Sequence, residues 1–144
     1  LTEHGRTDAG FTLLEILVVL AIISAAMSIA LPSISSGFSS LNARSAAMRV
    51  SSALLEAREK ALRDRSVYYA EVSGRALVIR TGEGRIVKKH SFSPSLELAS
   101  TPSISFSPGG FSSGGEIKVS STSFDGGYAV KVMAAGRPRI EAIR

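Results

Sequence analysis

The feature that most constrains this chain is the apolar run from Phe11 to Leu31, which carries a single charge, Glu15, close to its start. As a helix the run spans about 32 Å at ~1.5 Å per residue, close to the ~30 Å of a bilayer's hydrocarbon core. Thr12, Ser24 and Ser28 interrupt it mildly, because hydroxyls can bond back into their own helix. A buried helix of a soluble protein fits poorly, since the run is long, lacks amphipathicity and lies near the N-terminus. A cleaved secretory signal fits no better. Such signals have a basic leader, an apolar core of ~7–15 residues and a small-residue cut site behind that core. Here the leader LTEHGRTDAG holds Arg6 against Glu3 and Asp8, and its small pair, Ala9-Gly10, precedes the greasy stretch. A cut after Gly10 would leave the hydrophobic helix on the product.

Glu15 then becomes the residue to explain. An ionised side chain within a bilayer costs a few kcal/mol or more, so such groups are usually paired and functional. No Lys or Arg lies between Gly10 and Arg44. Cleavage between Gly10 and Phe11 creates a candidate partner, the α-amino group of Phe11 on a neighbouring chain. Breaking a buried pair costs far more than forming it gains, so Glu15 and Phe11 would set the register in which helices assemble.

These residues carry a family resemblance. Gly10-Phe11-Thr12-Leu13-Leu14-Glu15 followed by an apolar helix resembles the type III signal of type IV pilins and pseudopilins. The resemblance implies cleavage after Gly10 by a membrane prepilin peptidase, N-methylation of Phe11 and the assembly role of Glu15. It also implies a bend at Pro32, where a missing backbone donor kinks a helix. A cytoplasmic leader and a periplasmic body follow from the family as well.

Beyond Pro32 the pattern turns amphipathic. Ile34, Leu41, Met48, Leu55 and Leu62 recur every seven residues, flanked by Ala47, Leu54 and Ala61, with Arg44, Arg49, Arg58, Glu59 and Arg63 mostly off the stripe. The reading is one helix from Phe11 to about Arg65, with this stripe packed on a soluble domain's core. A coiled-coil seam is the rival, weakened by Ser45, Ser52 and Glu59 at the companion positions.

The remainder reads as strands at Val67–Val72, Ala76–Thr81, Ile86–Phe92, Leu96–Leu98, Ser103–Phe106, Glu116–Ser120, Tyr128–Met133 and Arg139–Ile143. Tight turns are expected at Ser73-Gly74 and Gly82-Glu83-Gly84. The fold class is therefore α+β, a long N-terminal helix against antiparallel sheets, and the resemblance implies that it is pilin-like. Four segments follow: leader 1–10, transmembrane and assembly helix 11–32, amphipathic helix 33–65 and β-rich periplasmic domain 66–144.

The glycine-rich SFSPGGFSSGGEIKV, Ser105 to Val119, lacks the Gly-Lys-Ser/Thr ending and following helix of a phosphate loop. It is similar instead to the strand–loop–strand signature of the pseudopilin H domain, and YAVKVMAAGRPR, Tyr128 to Arg139, resembles that domain's last hairpin. With no cysteine and only His4 and His90, the chain offers neither a disulfide framework nor a His/Cys metal cluster. A triad needs a histidine beside a nucleophile and an acid. His90, in KKHSF, reads as a solvent-facing residue on a strand edge, and the acids Glu71, Glu83, Glu97, Glu116 and Asp125 are scattered. No catalytic residue, metal or cofactor is expected, and the chain reads as an enzyme's substrate.

Two functions remain. The resemblance to pseudopilin H implies a minor pseudopilin of the type II secretion system, held in the bacterial inner membrane as a single-pass protein and drawn into a periplasmic pseudopilus. Its partners would be prepilin peptidase, the other major and minor pseudopilins, the inner-membrane assembly platform and membrane lipid. The alternative is a minor type IV pilin that binds DNA through Arg137 and Arg139 of Gly136-Arg137-Pro138-Arg139. The net charge of +5 is compatible with that but is equally a solubility feature, and no aromatic interleaves with the arginines to stack on bases.

Overall fold

The computed structural model describes residues 12–100, 102–122 and 124–143, apart from the side chains of 30–37, 124 and 125. The chain divides after Ser35 into two compact units. Helix α1, Leu13–Asp64, contributes to both. Eight strands follow: β1 Tyr68–Ser73, β2 Ala76–Thr81, β3 Ile86–Ser91, β4 Leu96–Ser100, β5 Ile104–Phe106, β6 Gly115–Ser121, β7 Phe124–Val132 and β8 Pro138–Ile143. They form two antiparallel sheets, β3-β2-β1-β5 and β4-β6-β7-β8. The α+β expectation holds, and each predicted strand is present within a few residues of its expected bounds.

In the second unit α1 packs on both sheets, and the face it buries is not the predicted one. Ala43, Ala46, Ala47, Val50, Ala53, Leu54, Ala57 and Ala61 are buried at the i, i+3, i+4, i+7 spacing of one helical face. They meet Tyr68, Ala70, Leu77, Ile79, Ile104 and Phe106 of the first sheet and Leu96, Ile117, Val119, Val130 and Val132 of the second in one hydrophobic cluster. The stripe expected in the core is out in solvent: Leu41, Met48, Leu55 and Leu62 are 62%, 49%, 40% and 41% exposed. Ala47, Leu54 and Ala61, expected only to flank that stripe, lie in the buried face. Alanines let the helix backbone approach two sheets at once, and the sheets supply the bulk that fills the core. Counting large side chains therefore selected the wrong face.

Local chemistry explains the ends and turns. Arg65, at φ 50°, turns the chain out of α1 in the left-handed conformation, and Ser66 N–H donates to Ala61 O. Between β1 and β2 the turn is Gly74-Arg75, one residue on from the expected pair, with Ser73 facing Ala76 and Gly74 at φ 59°. The glycine-rich segment connects a strand of one sheet to a strand of the other. It folds back through Gly110 N–H to Ser107 O and Ser107 N–H to Phe111 O, and Ser112 N–H donates to Ala134 O in the β7–β8 turn. Arg58 of α1 holds both loops, its Nε donating to Gly110 O at 2.9 Å. Gly136 packs so closely here, at φ 70°, that a Cβ would stand 2.3 Å from Gly110 O and 2.9 Å from Arg58 Nε.

Candidate assembly surface

In the first unit, every described side chain from Thr12 to Ile29 is exposed. Leu13, Leu14, Ile16, Leu17, Val18 and Val19 lead an apolar surface that nothing within the unit covers. Ser24 Oγ donates to Leu20 O and Ser28 Oγ to Ser24 O, so these hydroxyls are satisfied inside the helix as expected. Thr12 behaves differently. Its Oγ1 and its carbonyl both accept from the Glu15 N–H, at 3.2 and 3.0 Å, which makes Thr12 the helix N-cap.

That cap, made to the Glu15 backbone N–H, is a local feature which the sequence reading missed. Thr12-Leu13-Leu14-Glu15 has the Ser/Thr-x-x-Glu spacing of a capping box, the signal that would have found it. An acid in the first turn also opposes the positive end of the helix dipole. Among the described residues no cation pairs with the Glu15 carboxylate. Gly10 and Phe11, the expected cleavage, methylation and pairing residues, lie outside the described residues. Pro32 falls within the helical span.

Among the described residues no helix is long and apolar enough to cross a membrane. The described apolar side chains run from Leu13 to Ile29, about 26 Å of helix at ~1.5 Å per residue. The stretch marked out by the sequence begins at Phe11 and ends at Leu31, beyond those side chains at both ends.

In the second unit the exposed ridge Leu41, Met48, Leu55 and Leu62 keeps its heptad spacing, with Ser45, Ser52 and Glu59 beside it, also exposed. Large apolar residues at that interval form the knob row by which one helix packs against another. Ile34 belongs to the same sequence series, but its side chain lies outside the described residues.

The remaining candidates give weaker sites. Arg137 and Arg139 are exposed in the β7–β8 turn and on β8. Lys131 pairs with Arg139 across the strands, but its Nζ donates to Glu141 at 2.7 Å. Glu141 thus places an acid on the same face of β8 as Arg139, and that face is mixed in sign where a phosphate backbone would need it positive. His90 is not solvent-facing as expected. Its side chain is 19% exposed, with Nε2 3.9 Å from Glu56 of α1. Burial and Lys88 hold it below the ordinary imidazole range, against the pull of Glu56. Glu56 in turn accepts from Lys88 at 2.8 and 3.0 Å, and that bond lowers its own pKa. This cluster ties edge strand β3 to the helix and has no nucleophile in it. A cavity of about 480 Å³ at the end of α1 is lined by Asp64, Ser66, Val67, Tyr68, Thr81, Gly82, Glu83 and Arg85. There the Tyr68 hydroxyl donates to Asp64, which raises the tyrosine's pKa, and no histidine lines the wall.

Comparison with known proteins agrees with this geometry. Residues 5–31 match the prokaryotic N-terminal methylation motif. Comparison with curated protein sequences gives no match. The fold is similar to that of the type IV minor pilin FimU of Pseudomonas aeruginosa in two crystal forms. Identity is 21% in both, over 68% and 69% of this chain and 91% and 87% of FimU, with TM-scores of 0.57 and 0.58. It is also similar to the minor pseudopilin EpsH of the Type 2 Secretion System of Vibrio cholerae, at 15% identity over 70% of this chain and 97% of that one, TM-score 0.60. This chain joins a prokaryotic N-terminal methylation motif to an α+β fold similar to those of the minor pilin FimU and the minor pseudopilin EpsH.

Proposed function

We propose that the chain is a minor pseudopilin, a structural subunit of the periplasmic pseudopilus of the type II protein secretion system. The observation that carries this reading is an apolar stretch of α1, Leu13 to Ile29, exposed on all its described side chains and lying within the methylation motif matched over residues 5–31. Such a surface requires lipid or other helices to cover it. The likeness to EpsH over 97% of that protein favours the secretion machine. The likeness to FimU at 21% identity supports the second reading, a minor type IV pilin.

In this proposal prepilin peptidase cuts between Gly10 and Phe11 and methylates Phe11. The segment from Phe11 to Pro32 lies in the inner membrane with the sheets in the periplasm, and Pro32 bends the helix. On extraction into the filament, apolar helices exchange lipid for one another, and the Phe11 ammonium meets Glu15 of a neighbour. The cap at Thr12 gives the test its discrimination. Glu15→Gln keeps the side-chain length and hydrogen-bonding capacity a capping box uses but removes the charge; Glu15→Ala removes both. If pairing sets the register, both variants insert into the membrane and both fail to co-assemble. A role confined to capping would spare Glu15→Gln, and normal co-assembly by that variant refutes the pairing.

A further inference from the structure

We propose that β8 is a self-complementary sheet edge through which two copies of this chain pair antiparallel about a two-fold axis at Ile140. β8 ends its sheet, with β7 on one side and no described strand on the other. Exposed backbone edges are templates for another strand, and proteins guard those they do not use. The other three edges are guarded. β5 has three residues, and the chain folds back on it through the Phe106–Ser112 bridge and the Ser113 N–H to Ser105 O bond. β3 has a register shift opposite Ile79/Arg80 and carries Lys88 and Lys89. β4 lies in contact with β1. β8 keeps unbroken register with β7 over all six of its residues; Pro138 blocks only its first position, and its charges, Arg139 and Glu141, are of opposite sign and so do not repel a second copy as Lys88 and Lys89 of β3 would.

The residues on β8 identify the occupant. Antiparallel pairing centred on Ile140 sets Ile140 opposite Ile140 of the second copy, and Arg139 opposite Glu141 in both directions. Opposite charges facing across strands favour a register, and like charges oppose it. Among the described residues Arg139 has no ion-pair partner, so this contact supplies one. The other face of β8 is apolar. Ile140, 39% exposed, and Ala142 line a groove of about 280 Å³ with Tyr128, Met48 and Arg44, into which the second copy's Ile140 would fit. A single paired strand falls below the roughly 1,000 Å² of a stable interface, so the pair is transient. A two-fold contact closes on itself, so it holds two subunits and does not propagate a filament. The inference does not depend on the secretion reading.

The chain has no cysteine, so one introduced thiol reports the contact alone. Directly opposed residues of an antiparallel pair stand about 4.5–5.5 Å apart at Cα, within disulfide reach. In the full-length protein in detergent, where the two helices need not share a bilayer, Ile140→Cys should oxidise to a homodimer. Arg139→Cys mixed with Glu141→Cys should link more than either alone, and Glu83→Cys in the β2–β3 turn should stay monomeric. In the Ile140→Cys background, Arg139→Glu should lower linking by about threefold or more. Arg139→Glu/Glu141→Arg should restore it, which a misfolded edge could not do. Linking of Ile140→Cys no faster than that of Glu83→Cys, capture of a different protein instead of a second copy, or failure of the charge swap to rescue would each overturn the proposal.

Discussion

Leu54 and Leu55 are neighbours of the same residue type, and the structure assigns them opposite duties. Leu54 is fully buried against the two sheets, whereas Leu55 is 40% exposed on the ridge. Leu54→Ala should cost about 3–4 kcal/mol, the transfer free energy of the lost atoms plus a cavity that rigid strands cannot close. Leu55→Gln keeps a good helix former and gives up only partial burial, so its cost should stay below about 1 kcal/mol. For a unit of this size each kcal/mol shifts Tm by roughly 4–8 °C. Leu54→Ala should thus lower Tm by roughly 12 °C or more, and Leu55→Gln by only a few degrees. The readout is thermal loss of the tyrosine near-UV dichroism in full-length protein held in detergent, with Tyr68 and Tyr128 in or against the core as reporters. Co-assembly should reverse the ranking per unit of stability lost, Leu55→Gln impairing incorporation while the domain stays folded. A Leu55→Gln melting as low as Leu54→Ala would refute the inverted assignment of helix faces.

Gly136→Ala places a side chain at φ 70° and 2.3 Å from Gly110 O, which forces the loop clamp apart. It should destabilise by about 2 kcal/mol or more, measured by denaturant unfolding. Arg58→Ala, which leaves Gly110 O without its 2.9 Å donor, should cost about 1–2 kcal/mol by the same measurement. The pH dependence has a defined sign. His90 has a folded pKa below its ordinary 6.5, so the unfolded chain binds more protons and stability falls as pH drops below about 6.5. Glu56, lowered from 4.5, adds a further loss as pH falls through its folded pKa. His90→Gln should flatten the slope between about pH 7 and 5 and keep most of the acid limb, where Lys88 lowers Glu56 more than His90 does; an unaltered slope excludes His90 as its source.

Much of this molecule was legible because the relevant signals are local. The Gly-Phe-Thr-Leu-Leu-Glu motif, the strand pattern and the Gly-containing turns depend on neighbours in sequence. The strand β7 shows the limit of such signals. Its first residues, Phe124-Asp125-Gly126-Gly127, have turn composition, yet Phe124 and Gly127 pair with β6 across a register shift that Asp125 and Gly126 occupy, and a Cβ on Gly127 would meet Val119 O at 2.5 Å. Glycine there answers a close approach between strands, which only the folded partner reveals. The helix face was misread for the same reason. Which stripe is buried depends on how much bulk the sheets bring, and alanines at Ala43, Ala47 and Ala57 register as weakly hydrophobic until two sheets are set against them. His90 looked exposed in Lys88-Lys89-His90 because nothing local places Glu56 beside it.

The central claim is that this apolar helix is an assembly element released by proteolysis at its own N-terminus. Intact-mass and N-terminal sequencing of the native protein, purified from a bacterium with an active prepilin peptidase, tests it most directly. The account predicts a chain that begins at N-methylated Phe11. A mature protein that still carries Leu1–Gly10 would contradict it.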